Sequence, residues 1–350
     1  MRLTSDRSRK EVFMKKKVCI IYTGGTIGMM PTEMGYAPNP SAFPDLLEKI
    51  HDINLPDFPA YEVICLSRLL DSSDVTVREW NEIGKLIRDN YERFDGFVVL
   101  HGTDTMAYTA SAMSFMLKGL DKAVIFTGSQ IPLCRIRSDG ADNLVTSILV
   151  AASGEVREVC LYFGGALMRA NRCTKTSADD LVAFSSPNYP RLADVATSIV
   201  YRKKFLLPER NVPFSLVEMN EVPIAVIKIF PGFSARLLES VLESGVRGIV
   251  LEAFGAGNIP HGEALLPALK LARERGVLIV VTSQCGKGCV RLGAYAASMH
   301  LSAAGAISGL DMTTEAAVAK LYYLFSCYND TDEVRALMEQ DICGEISTDA

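Results

Sequence analysis

Short apolar runs alternate with segments of helical periodicity along most of this chain, and that alternation leaves few architectures open. The runs span 17–23, 62–66, 96–101, 122–127, 158–163, 224–230, 248–252 and 277–282. Between them, Trp80, Ile83, Ile87, Tyr91 and Phe94 mark the clearest helix, with Ser73 or Asp74 as its expected cap. Further helices are predicted to begin near Asp104, Asp139, Ser234 and Thr313. This repetition predicts an α/β fold of two domains with mainly parallel sheets and helices on both faces. The stretch 185–223 holds Pro187, Pro190, Pro208, Pro213 and Pro223 without long periodicity. It reads as a connector from a larger first domain to a smaller second one.

A chain of 350 residues can bury a core without disulfide staples. Its net charge of −5 offers no electrostatic attraction to nucleic acid or an anionic membrane, so neither is expected as a partner. Nine cysteines, scattered from Cys19 to Cys343, are an odd set that reads as reduced thiols in a cytoplasmic protein. Residues 1–16 are basic and imitate the start of a secretory signal. The apolar run behind them, 18–22, is shorter than the ~7–15 residues of a signal core. Residues 1–16 are therefore read as a disordered leader. No run approaches the ~18 apolar residues that span a bilayer.

Three apolar runs end in small polar loops: Thr23-Gly24-Gly25-Thr26-Ile27, His101-Gly102-Thr103-Asp104-Thr105-Met106 and Thr127-Gly128-Ser129-Gln130. In open parallel sheets, ligands collect beyond the carboxyl ends of the strands. The glycines at 24, 25 and 28 lack the dinucleotide spacing, and no Gly-Lys-Ser/Thr follows, so a nucleotide site is set aside. What remains is hydroxyls, an acid and small glycines, the inventory of a hydroxyl nucleophile acting on a small polar substrate. Thr26 is the candidate nucleophile, on a turn that a substrate can approach closely. A turn threonine bonding its own backbone is the ordinary alternative. Tyr36, in a proline-bounded segment, could act from a lid and polarise the Thr26 hydroxyl.

The other polar clusters have structural alternatives of the same kind. Thr103 or Asp104 could cap the following helix, which is compatible with catalysis. His101 extends a buried strand and is read as structural rather than as a general base. Asp71-Ser72-Ser73-Asp74 must contain a cap, and its hydroxyls and helix-start amides also suit a carboxylate. Lys175 alone would pass for a solvated lysine. Cys285 and Cys289 lack a second pair, so no zinc site is expected.

Together the motifs 22–29 (YTGGTIGM), 71–74 (DSSD), 95–116 (DGFVVLHGTDTMAYTASAMSFM), 127–132 (TGSQIP) and 229–232 (IFPG) resemble the L-asparaginase family, in its cytoplasmic type I bacterial branch. The resemblance runs from about residue 17 to 340. It implies a flavodoxin-like N-terminal catalytic domain over 17–200, a linker over 201–222 and a smaller Rossmann-like C-terminal domain over 223–350. It also implies hydrolysis of L-asparagine to L-aspartate and ammonia through a threonine acyl-enzyme formed on Thr26. Thr103, Asp104 and Lys175 match the family's second triad, and Tyr36 matches its lid tyrosine. Asp71, Ser72 and Ser73 match the loop that grips the substrate carboxylate, while Asp104 also pairs with the substrate ammonium. Asn258 would reach the substrate from a neighbouring subunit of a homodimer or homotetramer. No metal or organic cofactor is implied.

Some type I members carry a second asparagine site, with an arginine in the strand before the Gly-x-Gly-Asn loop. Here Glu252 takes that position and Cys285 matches the opposite wall, so the reversed charge would repel an effector carboxylate. Two other classes keep the same motifs. One is a glutaminase-asparaginase or tRNA-dependent amidotransferase component, the other a non-catalytic amino-acid sensor. Intact Thr26, Thr103, Asp104 and Lys175 argue against the sensor.

Overall fold

The computed structural model describes residues 15–33, 35–209, 211–260, 265–293 and 296–347. Up to residue 14, the expected leader lies outside the described residues. In the first half, five parallel strands stand in the order Ala60–Leu70, Lys17–Gly24, Gly96–Leu100, Val124–Thr127 and Val159–Phe163. Counted along the chain this is 2-1-3-4-5, the flavodoxin-like order expected for this half. The direction of winding reverses between Lys17–Gly24 and Gly96–Leu100, where such sheets bind ligands. Antiparallel strands Ala166–Arg169, Ala193–Val195 and Ile199–Tyr201 extend the far edge.

The uniformly apolar runs follow from burial on both faces. Cys19 and Ile21 point to one side, into a core shared with helices Val77–Asn90 and Met106–Met116. Val18, Ile20 and Tyr22 point to the other, against helix Gly140–Ala152. Strand Ala60–Leu70 is an edge strand, mostly half-exposed, and longer than the apolar run 62–66 that announced it.

The second half holds a smaller parallel sheet of Ile224–Lys228, Gly248–Ala253, Leu278–Ser283 and Ile307–Ser308, in sequence order. Without a reversal it offers no switch point. Helices Ala235–Glu243 and Leu265–Glu274 cover one face. Helix Thr314–Cys327 covers the other and packs onto Met106–Met116, so Leu321 and Leu324 share a core with Met113 and Met116.

Four details differ from the sequence expectations. The cap of Val77–Asn90 is Thr76, not Ser73 or Asp74; its backbone N–H donates to Glu79 Oε2 at 2.8 Å in a capping box. Tyr91 and Phe94 keep their buried places but lie beyond the helix, in a 3-10 turn and an extended segment. The helix expected near Asp104 begins at Met106 with Thr105 as its N-cap, so neither Thr103 nor Asp104 caps it. Part of the stretch read as a connector, Ala193–Val195 and Ile199–Tyr201, belongs to the large sheet. These strands are three residues each, too short to show a period.

Candidate active site

Three loops meet at the switch point because glycines let their backbones touch. Gly25 has φ 77°, and a Cβ there would lie 2.5 Å from the Gly102 nitrogen. A Cβ on Gly102 would in turn lie 2.5 Å from Ser72 Oγ. Hydroxyls lock the arrangement: Thr23 Oγ1 donates to the Leu100 carbonyl at 2.8 Å, and Thr105 Oγ1 to the Ser72 carbonyl at 2.7 Å. Thr26 follows directly, opening the turn Thr26–Gly28 with its side chain half-buried. Among the described residues its hydroxyl has no hydrogen-bond partner, so it is not a turn threonine bonding its own backbone.

Lys175 arrives from a different part of the chain. Its short strand, Thr174–Lys175, pairs antiparallel with Phe184–Ser185. The ammonium donates to Thr103 Oγ1 at 2.8 Å and to Asp104 Oδ1 at 2.6 Å. Thr103 Oγ1 donates onward to Gln130 Oε1 at 3.3 Å. Gln130 is itself fixed: its Nε2 donates to the Ala178 carbonyl at 2.9 Å and its backbone N–H to Asp139. A hydroxyl held between a cation and an amide oxygen has its proton direction set, which suits proton transfer.

The remaining expected residues divide. Asp71 caps the turn Ser72–Asp74, and its Oδ1 accepts from Ser73 N–H and Ser73 Oγ–H, each at 3.1 Å. Ser72 is buried against Gly102, whereas Ser73 is exposed. These join the Thr26 and Thr103 loops. Tyr36 does not join Thr26. It stands on the hairpin Met29–Thr32/Gly35–Pro38, and its phenol oxygen accepts from Arg135 Nη1 at 2.8 Å. Asn258 lies in the second half, in a turn closed by backbone hydrogen bonds with Phe254, and its Oδ1 is buried without a partner among the described residues.

His101 is buried, and its Nδ1–H donates to the Gly102 carbonyl at 2.8 Å. Burial pulls its pKa down to about 4, so the ring is neutral at neutral pH and serves the loop's geometry. Glu252 and Cys285 do share the walls of one cavity, about 360 Å³, with Thr174 and Glu315. Glu252 Oε1 accepts there from Thr314 Oγ1 at 2.7 Å. Among the described residues no group of three or more His, Cys, Asp or Glu side chains is placed to hold a metal ion. Nor is any described helix long and apolar enough to cross a membrane.

Residues 17–206 match the family model described as Asparaginase, N-terminal, and residues 223–338 match the Glutaminase/Asparaginase C-terminal domain. The chain belongs to the asparaginase family. It is 42% identical to L-asparaginase 1 of Escherichia coli, over 96% of this chain and 99% of that one. The crystal structure of L-asparaginase I from Vibrio cholerae superposes with a TM-score of 0.89 at 42% identity, covering 95% of this chain and 100% of the other. The thermostable L-asparaginase from Thermococcus kodakarensis is a more distant structural relative. It superposes with a TM-score of 0.86 at 33% identity, covering 95% of this chain and 99% of the other.

Sequence reasoning missed three residues that bond to members or neighbours of the candidate site. Gln130 sits in a loop already singled out, and its amide at a strand exit was the available signal. Arg135, which holds Tyr36, and Glu315, which receives a 2.7 Å hydrogen bond from Thr174 Oγ1, had no local signal.

Proposed function

We propose that this chain hydrolyses the side-chain amide of L-asparagine to L-aspartate and ammonia through an acyl-enzyme on Thr26. The observation that carries the reading is the Lys175 ammonium, bonded to both Thr103 and Asp104 beside the loop that presents Thr26. The Thr26 oxygen adds to the carboxamide carbon, and its proton leaves with the departing ammonia. Water then cleaves the ester to give aspartate and restore the threonine. A threonine hydroxyl is a weak nucleophile until a base or cation lowers the cost of its ionisation, which is the work assigned to Lys175, Thr103 and Asp104. Backbone amides of the glycine-rich loops stabilise the oxyanion. Asp71, Ser72 and Ser73 hold the substrate carboxylate and Asp104 its ammonium. Tyr36 acts when its hairpin closes and the phenol exchanges Arg135 for Thr26.

The same reading makes the active unit a homodimer or homotetramer, with Asn258 closing a neighbour's site. Among the described residues of one chain, Asn258 bonds only inside its own turn and the Thr26 hydroxyl is left unpartnered. Residues 17–200 are assigned to the catalytic domain, 201–222 to the linker and 223–350 to the second domain, with strand Ile199–Tyr201 of the large sheet crossing the first boundary by one residue. The odd, scattered cysteines support a cytoplasmic setting.

Ammonia release from asparagine and glutamine, measured in parallel on the purified protein and on Thr26→Ala, tests the reading. Asparagine should be the better substrate, and Thr26→Ala should lose at least about a thousandfold in kcat while staying folded. Preference for glutamine would reassign the substrate, and a fully active Thr26→Ala would remove the nucleophile. Mixing Thr26→Ala with Asn258→Ala should restore part of the activity if sites are shared between chains. A fully active monomer would end that part of the proposal.

A further inference from the structure

Lys175 sits on a very short strand, and the residues around it alternate in direction. Arg172 and Thr174 reach into the second half of the molecule, whereas Lys175 points to Thr103 and Asp104. Thr174 and Lys175 are neighbours in extended backbone and so point to opposite sides, while Arg172 closes the preceding 3-10 turn Ala170–Arg172. Arg172 Nη2 meets Asp311 Oδ2 at 2.5 Å, and Nη1 meets Asp311 Oδ1 at 3.1 Å. Two residues on, Thr174 Oγ1 donates to Glu315 Oε1 at 2.7 Å. Asp311 and Glu315 flank the start of helix Thr314–Cys327, which is packed against Met106–Met116 behind the Thr103 loop. The backbone that carries Lys175 is therefore held from the opposite side by two acids, Asp311 in the turn before helix Thr314–Cys327 and Glu315 in its first turn.

We infer that Glu315 is a positioning residue for Lys175, acting through the Thr174 hydroxyl. Glu315 touches none of the groups assigned to the reaction, yet its hydrogen-bond partner Thr174 is the lysine's immediate neighbour. A two-residue strand has little ladder of its own, so the side-chain bond on its far face sets where the lysine backbone lies. Burial pushes the Glu315 carboxyl up from its ordinary range, and the Thr174 hydrogen bond opposes that rise. An acceptor oxygen at this place is what Thr174 needs, and a glutamine amide supplies one too. Misplacing a catalytic group by about 1 Å costs on the order of a hundredfold in rate, so a bond outside the site can control turnover without touching substrate.

This inference rests on the proposed role of Lys175, so its test has one readout independent of turnover. Thr174→Val removes the bond at nearly constant volume, and Glu315→Leu removes it from the other side. Each should lower kcat by about 10- to 100-fold with little change in KM, since the substrate-gripping loop is untouched. Glu315→Gln should retain most of the rate. The double variant should be no slower than the slower single one. Acetic anhydride labelling, resolved by peptide mass spectrometry, should modify Lys175 faster in Thr174→Val and Glu315→Leu than in the unchanged chain or Glu315→Gln. A folded Thr174→Val with unchanged kcat and unchanged Lys175 labelling overturns the inference. If the unchanged chain releases no ammonia, the functional reading falls, and the labelling result alone decides whether Glu315 positions Lys175.

Discussion

Lys175 and Asp104 form the shortest link of the site, 2.6 Å from Nζ to Oδ1, although the Asp104 side chain is 65% exposed and that of Lys175 19%. An ion pair so open on its acidic side contributes at most about 1 kcal/mol to stability after solvent screening. Its value must lie elsewhere. Asp104→Ala should leave the melting temperature nearly unchanged and still depress kcat by several orders of magnitude. Lys175→Met should likewise affect turnover far more than substrate binding, because it acts on charge that develops in the transition state. Double-mutant cycles among Thr103, Asp104 and Lys175 should be strongly non-additive, and additive losses would refute a shared proton-transfer unit.

Arg172 and Asp311 show the opposite balance, being only 1% and 5% exposed. Removing one member leaves the other charge buried without its partner, so Arg172→Met should cost about 3–5 kcal/mol, measured by denaturant unfolding. Burial alone would raise the Asp311 carboxyl, but hydrogen bonds from Arg172 and Ser347 hold it below its ordinary range. A depressed acid stabilises the fold above its unfolded pKa. That contribution is lost as pH falls through the lower folded value. Arg172→Met should therefore also flatten the steepest acid part of the stability curve.

His101 acts in a different window. Its folded pKa of about 4 lies below the ordinary 6.5. Between those values the unfolded chain binds a proton that the folded chain refuses, so stability rises with pH across that interval. The slope from this one group is at most about 1.4 kcal/mol per pH unit. His101→Asn should reduce the loss of melting temperature between pH 6.5 and 4 and keep turnover within about tenfold of the original. Loss of turnover equal to that of Lys175→Met would make His101 a catalytic base after all.

Glu252 bears on regulation. Its carboxylate, held by Thr314, faces the cavity that also contains Cys285 and the buried Glu315. An α-amino acid entering there would bring its own carboxylate toward two acids. The rate should follow a hyperbolic curve in asparagine. A sigmoidal curve that Cys285→Ala abolishes would show that the cavity binds the amino acid despite its charge.

The N-terminal architecture was legible because parallel strands covered on both faces must be apolar throughout. Runs such as 96–101 announce themselves, and the polar loops that end them mark the carboxyl edge of the sheet. Thr26, Thr103 and Asp104 stand on such loops, so local pattern was enough to nominate them, whereas the 71–74 cluster follows a half-exposed edge strand and stood out by its own polar residues. Pattern was weaker where elements are short or exposed. The strands Ala193–Val195 and Ile199–Tyr201 offer no period, and the Thr76–Glu79 capping box was overlooked behind the more conspicuous Asp71-Ser72-Ser73-Asp74.

Other relations came only with the folded chain. Lys175 meets Asp104 across 71 positions, and Thr174 meets Glu315 across 141. Nothing in the composition of either neighbourhood records the other. Likewise, nothing local said that Tyr36 would rest on Arg135 or that Asn258 would remain in its own half. The sequence by itself determined the buried strands of the two sheets and the polar loops that end them, because burial on a sheet and turn chemistry act between near neighbours. Which loops touch, and which distant acid supports the lysine strand, was decided by strand order and by the packing of helix Thr314–Cys327 on Met106–Met116. Those depend on contacts whose partners are set only when the whole core closes.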